Sequence, residues 1–152
     1  MSMSPTILPG DYVFVEKVSF MIRDPVRGEV VLFKSDAVSG VAKKRYYLAR
    51  ITGVPGDFVA IGVSNVVVNG ERQAGTGDGG EKLVVSREGG ARCLDAAEYF
   101  ALGDNEMVGL DSRQWGVLPQ RNIVGRVVWL FRCVNHRGLR VKAPYSANEM
   151  TR

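Results

Sequence analysis

The chain has very little histidine or cysteine, and it has no long apolar run. No stretch reaches the roughly 18–20 apolar residues needed to cross a bilayer. No signal peptide is visible either, so the chain as given is expected to be soluble and at most peripheral to a membrane. His136 is the single histidine and lies in a polar C-terminal stretch, which gives a histidine-based catalytic site little support. Cys93 and Cys133 are the two cysteines; their separation fits neither a metal site nor a redox motif, and free buried thiols are expected. The glycine-rich run 75–80 lacks the Lys-Ser/Thr and the following helix of a phosphate-binding loop, so it reads as a plain loop, as does Gly89-Gly90. Nothing calls for a metal or other cofactor.

The charge balance is mildly basic, with 20 Lys and Arg against 16 Asp and Glu. The densest basic runs are Lys43-Lys44-Arg45 and, more loosely, 137–142. No DNA- or RNA-binding motif accompanies them, so nucleic acid is not an expected partner. A solvated basic face or a weak attraction to an anionic membrane surface fits better.

Among the 152 residues, 45% are hydrophobic, enough for one domain with a real core and room for a small subdomain. Short β-branched and aromatic runs are punctuated by glycine and proline, and no long segment has helical periodicity. Strands are predicted at 12–15, 29–33, 46–52, 58–61, 99–102 and 124–131. Val66-Val67-Val68 followed by Asn69-Gly70 is a hairpin signal, because Asn-Gly accepts the positive φ values of a type I′ turn. In Val54-Pro55-Gly56-Asp57, proline presets φ and glycine supplies a left-handed position, which predicts a tight turn. The fold class is therefore mostly β. Its expected organisation is a core from 1–61 and 98–134, an inserted subdomain over 62–97, and a polar tail over 135–152.

Three segments carry the chemistry. The first is Ser2-Met3-Ser4-Pro5-Thr6, the second Ala49-Arg50-Ile51-Thr52-Gly53-Val54-Pro55-Gly56-Asp57. The third is Gly103-Asp104-Asn105-Glu106-Met107-Val108-Gly109-Leu110-Asp111-Ser112-Arg113-Gln114-Trp115-Gly116. In this order they resemble the active-site boxes of type I signal peptidases, membrane-bound serine proteases that cut leader peptides from exported proteins. The resemblance spans about residues 2–132, with 62–97 unmatched in detail. It implies a catalytic core of antiparallel sheets with a small inserted β subdomain.

By that resemblance Ser2 is the nucleophile, and its backbone N–H is one donor of the oxyanion hole that a tetrahedral intermediate needs. A second donor, a serine hydroxyl two positions upstream in many relatives, has no counterpart here. The family's second box reads approximately Lys-Arg-(Val/Ile)-x-Gly-x-Pro-Gly-Asp, and its lysine is the general base. Such a lysine works because burial in apolar surroundings depresses its pKa. This chain matches from Arg50 to Asp57 but has Ala49 at the lysine position.

No neighbour is placed to substitute. Arg50 points to the opposite strand face and stays protonated. Lys43 shares the parity of position 49 but lies about 20 Å away along a strand. Lys44 has the wrong parity as well. In the third box, Asp111 and Arg113 take the role of an ion pair that braces the active-site strands. Gly109 stands where many relatives have a serine that orients the lysine amine, and Glu106 replaces a frequent arginine.

The resemblance implies a signal peptidase I-type serine endopeptidase, without cofactor, that uses a Ser/Lys dyad. Its substrates would be signal peptides of exported preproteins with small residues before the cut, bound by strand addition. Pockets for those residues are expected from apolar residues near Ser2 and around 46–51. The family is anchored in the bacterial cytoplasmic membrane with its catalytic domain outside the cytoplasm. A start just before Ser2 is what removal of that anchor leaves. With Ala49 in place, little or no cleavage is expected, and the alanine is either an engineered substitution or a natural one. The alternatives are a naturally non-catalytic peptide-binding homologue and a relative of pilin-type maturation peptidases. Phe14, Phe20, Met21 and Ile22 are read either as an apolar surface that dips into the bilayer or as a core strand with a satellite cluster.

Overall fold

The computed structural model describes residues 2–36, 38, 42, 45–62, 65–73, 91–105, 110–133 and 139–142. The strands are β1 (Tyr12–Glu16), β2 (Val30–Lys34), β3 (Tyr46–Gly53), β4 (Phe58–Ile61), β5 (Val66–Val68) and β6 (Glu71–Arg72). They continue with β7 (Arg92–Cys93), β8 (Glu98–Leu102), β9 (Leu118–Pro119), β10 (Ile123–Cys133) and β11 (Leu139–Lys142). Helix is confined, among the described residues, to α1 (Ser112–Trp115) and two 3-10 turns at Ser19–Met21 and Gln120–Asn122. The chain is mostly β and every strand pair is antiparallel. All six strands predicted from the sequence are present, with ends that differ by a residue or two. The two-residue strands β6, β7 and β9 are too short to leave a periodic signal.

The larger sheet runs β1-β10-β2-β3-β8-β9, with β11 also paired to β10. The smaller runs β6-β5-β4-β7. Side chains alternate across the larger sheet and so build two cores. On one face Val31, Phe33, Ala49, Ile51, Tyr99 and Ala101 pack with Trp115 and Leu118. On the other, Val30 and Val127 pack with Met3, backed by Leu48, Val13 and Val15. Strand β8 also serves the small sheet, because Phe100 and Leu102 point away from Tyr99 and Ala101 and pack with Val59, Val66, Val68 and Leu94.

The turn chemistry read from the sequence is realised. Asn69 and Gly70 have φ of 51° and 86°, joining β5 to β6. Gly56 has φ of 86°, and Asp57 N–H closes the Val54 turn at 3.0 Å. One expectation needs correction: Cys93 is free but exposed, not buried. It lies on β7, a two-residue strand that, among the described residues, pairs only with β4. The side chain of Cys133 and the stretches 75–80, 89–90 and 143–152 lie outside the described residues.

Acidic groups tie the first sheet together. Hydrogen bonds from the Ser19 hydroxyl and backbone N–H, and then from Arg126, hold the Glu16 carboxyl down from 4.5 to about 2. For Glu29, burial pushes the carboxyl up. Bonds from Arg23 and the Val26 N–H, with the charges of Arg23 and Arg126, outweigh burial and leave it below its ordinary value. Both folded values are depressed, so the stability they contribute is full above the unfolded carboxylate pKa and is lost as pH falls through the folded one. The melting temperature is therefore expected to fall between pH 4.5 and about 2 as Glu16 protonates. Glu16→Gln should flatten that part of the decline in a circular-dichroism titration. An unchanged slope would remove Glu16 from the account.

Candidate functional site

Ser2 opens a run of turns that crosses the end of the larger sheet. Its carbonyl accepts the Asn105 N–H at 2.9 Å, and the Met3 carbonyl accepts the Ile7 N–H at 2.8 Å. The Met3 side chain is buried with Val30 and Val127, which anchors the segment, while Ser2 itself stays half-buried. Close approach to Gly103 fixes its position. A Cβ at residue 103 would lie 2.5 Å from the Ser2 carbonyl oxygen and 3.1 Å from the Ser2 Cβ. The first obstacle is backbone and cannot rotate away. Gly103→Ala is thus expected to displace Ser2 and to destabilise the protein by about 1–3 kcal/mol, as overpacking does. Urea unfolding and the Ser2 amide resonance check this, and a variant with both unchanged would show that the contact is loose.

Ala49 sits on β3, paired with Val31 of β2, and is 3% exposed. On its other side β3 pairs with β8 through Arg50↔Leu102 and Ile51↔Ala101. One step further in that register, position 49 lies across from Gly103. Directly opposed residues point to the same face, with Cβ atoms about 4.5–5.5 Å apart. Ser2 lies where a Cβ at 103 would point, so it lies on the face to which the Ala49 side chain points. The methyl group of Ala49 belongs to the apolar cluster of Val31, Phe33, Ile51, Tyr99, Ala101 and Trp115, with half-buried Tyr47 beside it. Two polar atoms of this cluster, the Tyr99 hydroxyl and the Trp115 indole N–H, are buried without a hydrogen-bond partner among the described residues. Burial, and then the charge of Asp24, push the Tyr99 hydroxyl up to about 12. Four residues of strand, about 13 Å, also separate it from Gly103. Tyr99 is therefore no proton acceptor for Ser2.

Two ion pairs brace this corner. Arg113 Nε and Nη2 donate to Asp111 Oδ1 and Oδ2 at 2.9 and 2.7 Å, a bidentate pair with Asp111 only 1% exposed. Asp111 also caps α1 by accepting the Arg113 N–H at 3.1 Å, and it accepts the Gly103 N–H at 3.2 Å. Arg50 points to the opposite face from Ala49 and is 8% exposed. It grips Asp104 with bonds of 2.8 and 2.6 Å and donates to the Gly28 carbonyl at 2.7 Å. Asp104 lies between the two residues that touch Ser2, so Arg50 helps hold the site without facing it.

The sequence reading placed Arg50 on the correct face but assigned it no partner. The aspartate of the Gly-Asp-Asn segment supplies a carboxylate of the right charge, but its nearness to Arg50 follows only from the pairing of β3 with β8. A third pair, Arg27 to Asp57, ties the turn before β2 to the turn before β4; its shorter contact joins Nη2 to Oδ1. Burial pushes the Asp57 carboxyl up, but Arg27, the Val54 N–H and Asn69 together leave it below its ordinary value. Gly109, Glu106, Lys43, Lys44 and His136 lie outside the described residues. Among the described residues no cluster of three or more His, Cys, Asp or Glu is arranged to hold a metal ion.

Phe14, Met21 and Ile22 are exposed, the last two by more than four-fifths, whereas Phe20 is half-buried against the first core. Phe14 pairs across strands with Trp129, and Tyr12 with Phe131, so an aromatic strip runs along β1 and β10. No helix among the described residues is long and apolar enough to cross a membrane.

Comparison with known proteins gives a consistent result. The family described as signal peptidase, peptidase S26, matches residues 1–132. A probable signal peptidase I-2 of Synechocystis sp. is 34% identical over 142 residues, which cover 91% of this chain and 62% of the relative. The signal peptidase I of Leptolyngbya laminosa is 31% identical over 143 residues, covering 90% of this chain and 68% of the relative. This chain thus spans about two-thirds of the length of these relatives. A signal peptidase I structure from Enterococcus faecalis is similar at a TM-score of 0.49 and 21% identity, covering 69% of this chain and 97% of that one. The family match takes in all three segments, 2–6, 49–57 and 103–116, and on that evidence the chain belongs to the signal peptidase, peptidase S26, family.

Proposed function

We propose that this chain is built as the catalytic domain of a signal peptidase I-type serine endopeptidase, with Ser2 at the nucleophile position and Ala49 at the position of the general-base lysine. The observation that carries the reading is the convergence of Ser2, Gly103 and position 49 on one face of the sheet. A serine hydroxyl is a weak nucleophile without a base to take its proton. Among the described residues, the group opposite Gly103 is a methyl. The chain as it stands is therefore a site with a serine at the nucleophile position and no acceptor at position 49, and it cleaves little or nothing. In the complete reaction Ser2 Oγ attacks the scissile carbonyl and passes its proton to the base; the peptide C–N bond then breaks as the base hands that proton to the leaving amine. Water, deprotonated by the same base, hydrolyses the Ser2 ester, and the Ser2 backbone N–H contributes to the oxyanion hole.

The substrates are signal peptides of exported preproteins with small residues before the cut. The stretch of β3 from Tyr46 to Leu48 supports this reading: among the described residues, no strand pairs with it on the side away from β2. An extended peptide can add to that edge by main-chain hydrogen bonds. The strip of Tyr12, Phe14 and Trp129, with Met21 and Ile22, suits contact with a membrane surface on the extracytoplasmic side of the bacterial cytoplasmic membrane. A second reading, a homologue that binds peptides without cutting them, is favoured by one observation: the Ala49 methyl is packed into an apolar cluster. Cleavage of a leader peptide in detergent, by the chain and by Ala49→Lys, separates the two. Cleavage only by the variant supports the peptidase reading; binding without cleavage by both supports the other.

A further inference from the structure

We infer that Ser112 is a positioning residue for Ser2, acting through the edge of β8; this rests on the proposed role of Ser2. In a strand, every second N–H points to the same side. On β8 the N–H groups of Tyr99, Ala101 and Gly103 face the side occupied by β9. Strand β9 covers only the start of that edge, through Glu98↔Pro119 and Tyr99↔Leu118. Beyond it two side chains take over the strand's place. Ser112 Oγ accepts the Ala101 N–H at 2.9 Å, and Asp111 Oδ2 accepts the Gly103 N–H at 3.2 Å. Ser112 and Ala101 are both fully buried, so water cannot replace the Ser112 oxygen. Consecutive residues 111 and 112 thus supply two successive acceptors at the spacing of a strand.

This edge decides where Gly103 lies, and Gly103 decides where Ser2 lies. On its other side β8 is pinned to β3 by the pairs nearest Ala49. The Ser112 bond therefore sets the fit between Ser2 and position 49, which a stable fold does not by itself require. The Asp111–Arg113 pair has a visible electrostatic reason to exist, whereas Ser112 is neutral and looks inert in the sequence.

The test uses Ser112→Ala and Ser112→Thr, each alone and with Ala49→Lys. In the chain itself, Ser112→Ala should speed amide exchange at Ala101 and Gly103 by about 10-fold or more, because a buried N–H loses its acceptor. Exchange at Val31 and Tyr47, on the β2–β3 ladder, should stay unchanged. Ser112→Thr, which keeps the oxygen, should exchange as the parent does. With Ala49→Lys present, Ser112→Ala should lower kcat for leader-peptide cleavage about 10- to 100-fold with KM nearly constant, and Ser112→Thr should restore most of it. Uniformly faster exchange across both ladders, or an unchanged kcat, would overturn the inference. If Ala49→Lys does not cleave at all, the peptidase reading fails, while the exchange pattern still decides whether Ser112 holds the edge.

Discussion

Ala49→Lys is expected to raise leader-peptide cleavage by about 10²–10⁴-fold over the parent chain, the usual contribution of a positioned general base. The argument is geometric before it is chemical. Position 49 is opposite Gly103 in the register of β3 and β8, and Ser2 is packed against Gly103. A lysine stem leaving position 49 starts among Val31, Ile51 and Ala101 with half-buried Tyr47 nearby. Such surroundings disfavour the ammonium form and lower its pKa from about 10.4 toward neutrality. The variant's kcat/KM should therefore rise with pH through a value well below the ordinary lysine range.

Stability moves the same way. The folded-state pKa is depressed, so the variant is least stable relative to the parent at low pH, where the buried amine must charge, and it recovers as pH rises. By resemblance Gly109 leaves the amine without an orienting hydroxyl, so adding Gly109→Ser should increase the rate further. Two outcomes count against the assignment. One is a parent chain that already cleaves at the variant's rate. The other is a folded variant that binds a leader peptide, shows the depressed pKa and still does not cut.

The strands and turns are readable in the sequence because each depends on local chemistry, and the three motif segments because they resemble the family's boxes. Asn69-Gly70 and Pro55-Gly56 specify their turns through φ alone, and β3 and β10 announce themselves by runs of aromatic, aliphatic and β-branched residues. What stayed hidden depends on partners distant in sequence. Arg50 finds Asp104 across 54 positions, and Arg27 finds Asp57 across 30. No local pattern encodes these pairs; they follow from the order of strands in the sheet. Cys93 was misjudged for a related reason. Cysteine is usually buried, but Cys93 sits on a two-residue strand that pairs, among the described residues, with β4 alone, and it is exposed. The role of Ser112 was invisible because a serine inside a motif has no signature until the unpaired edge of β8 is seen.

Arg113→Ala is expected to destabilise the fold by about 3–5 kcal/mol, the range for removing one partner of a buried ion pair. The severity comes from what is left behind. Asp111 is 1% exposed and loses both side-chain donors, at 2.9 and 2.7 Å. Two backbone donors remain, the Gly103 N–H at 3.2 Å and the N–H of residue 113 at 3.1 Å. They soften the loss without neutralising the charge, which argues for the lower part of the range. Urea unfolding should show a lower midpoint at constant m. Arg92→Ala is the control: Arg92 is 57% exposed while it contacts Glu98 and Asp95. Removing a surface ion pair of that kind should cost only about 0–1 kcal/mol. Arg113→Lys keeps the charge but not the fork and should fall between the two. Equal costs for Arg113→Ala and Arg92→Ala would mean that the buried carboxylate is satisfied by the backbone alone. Asp111 would then be a helix cap and an acceptor for β8, with Arg113 lying over it as an incidental cover.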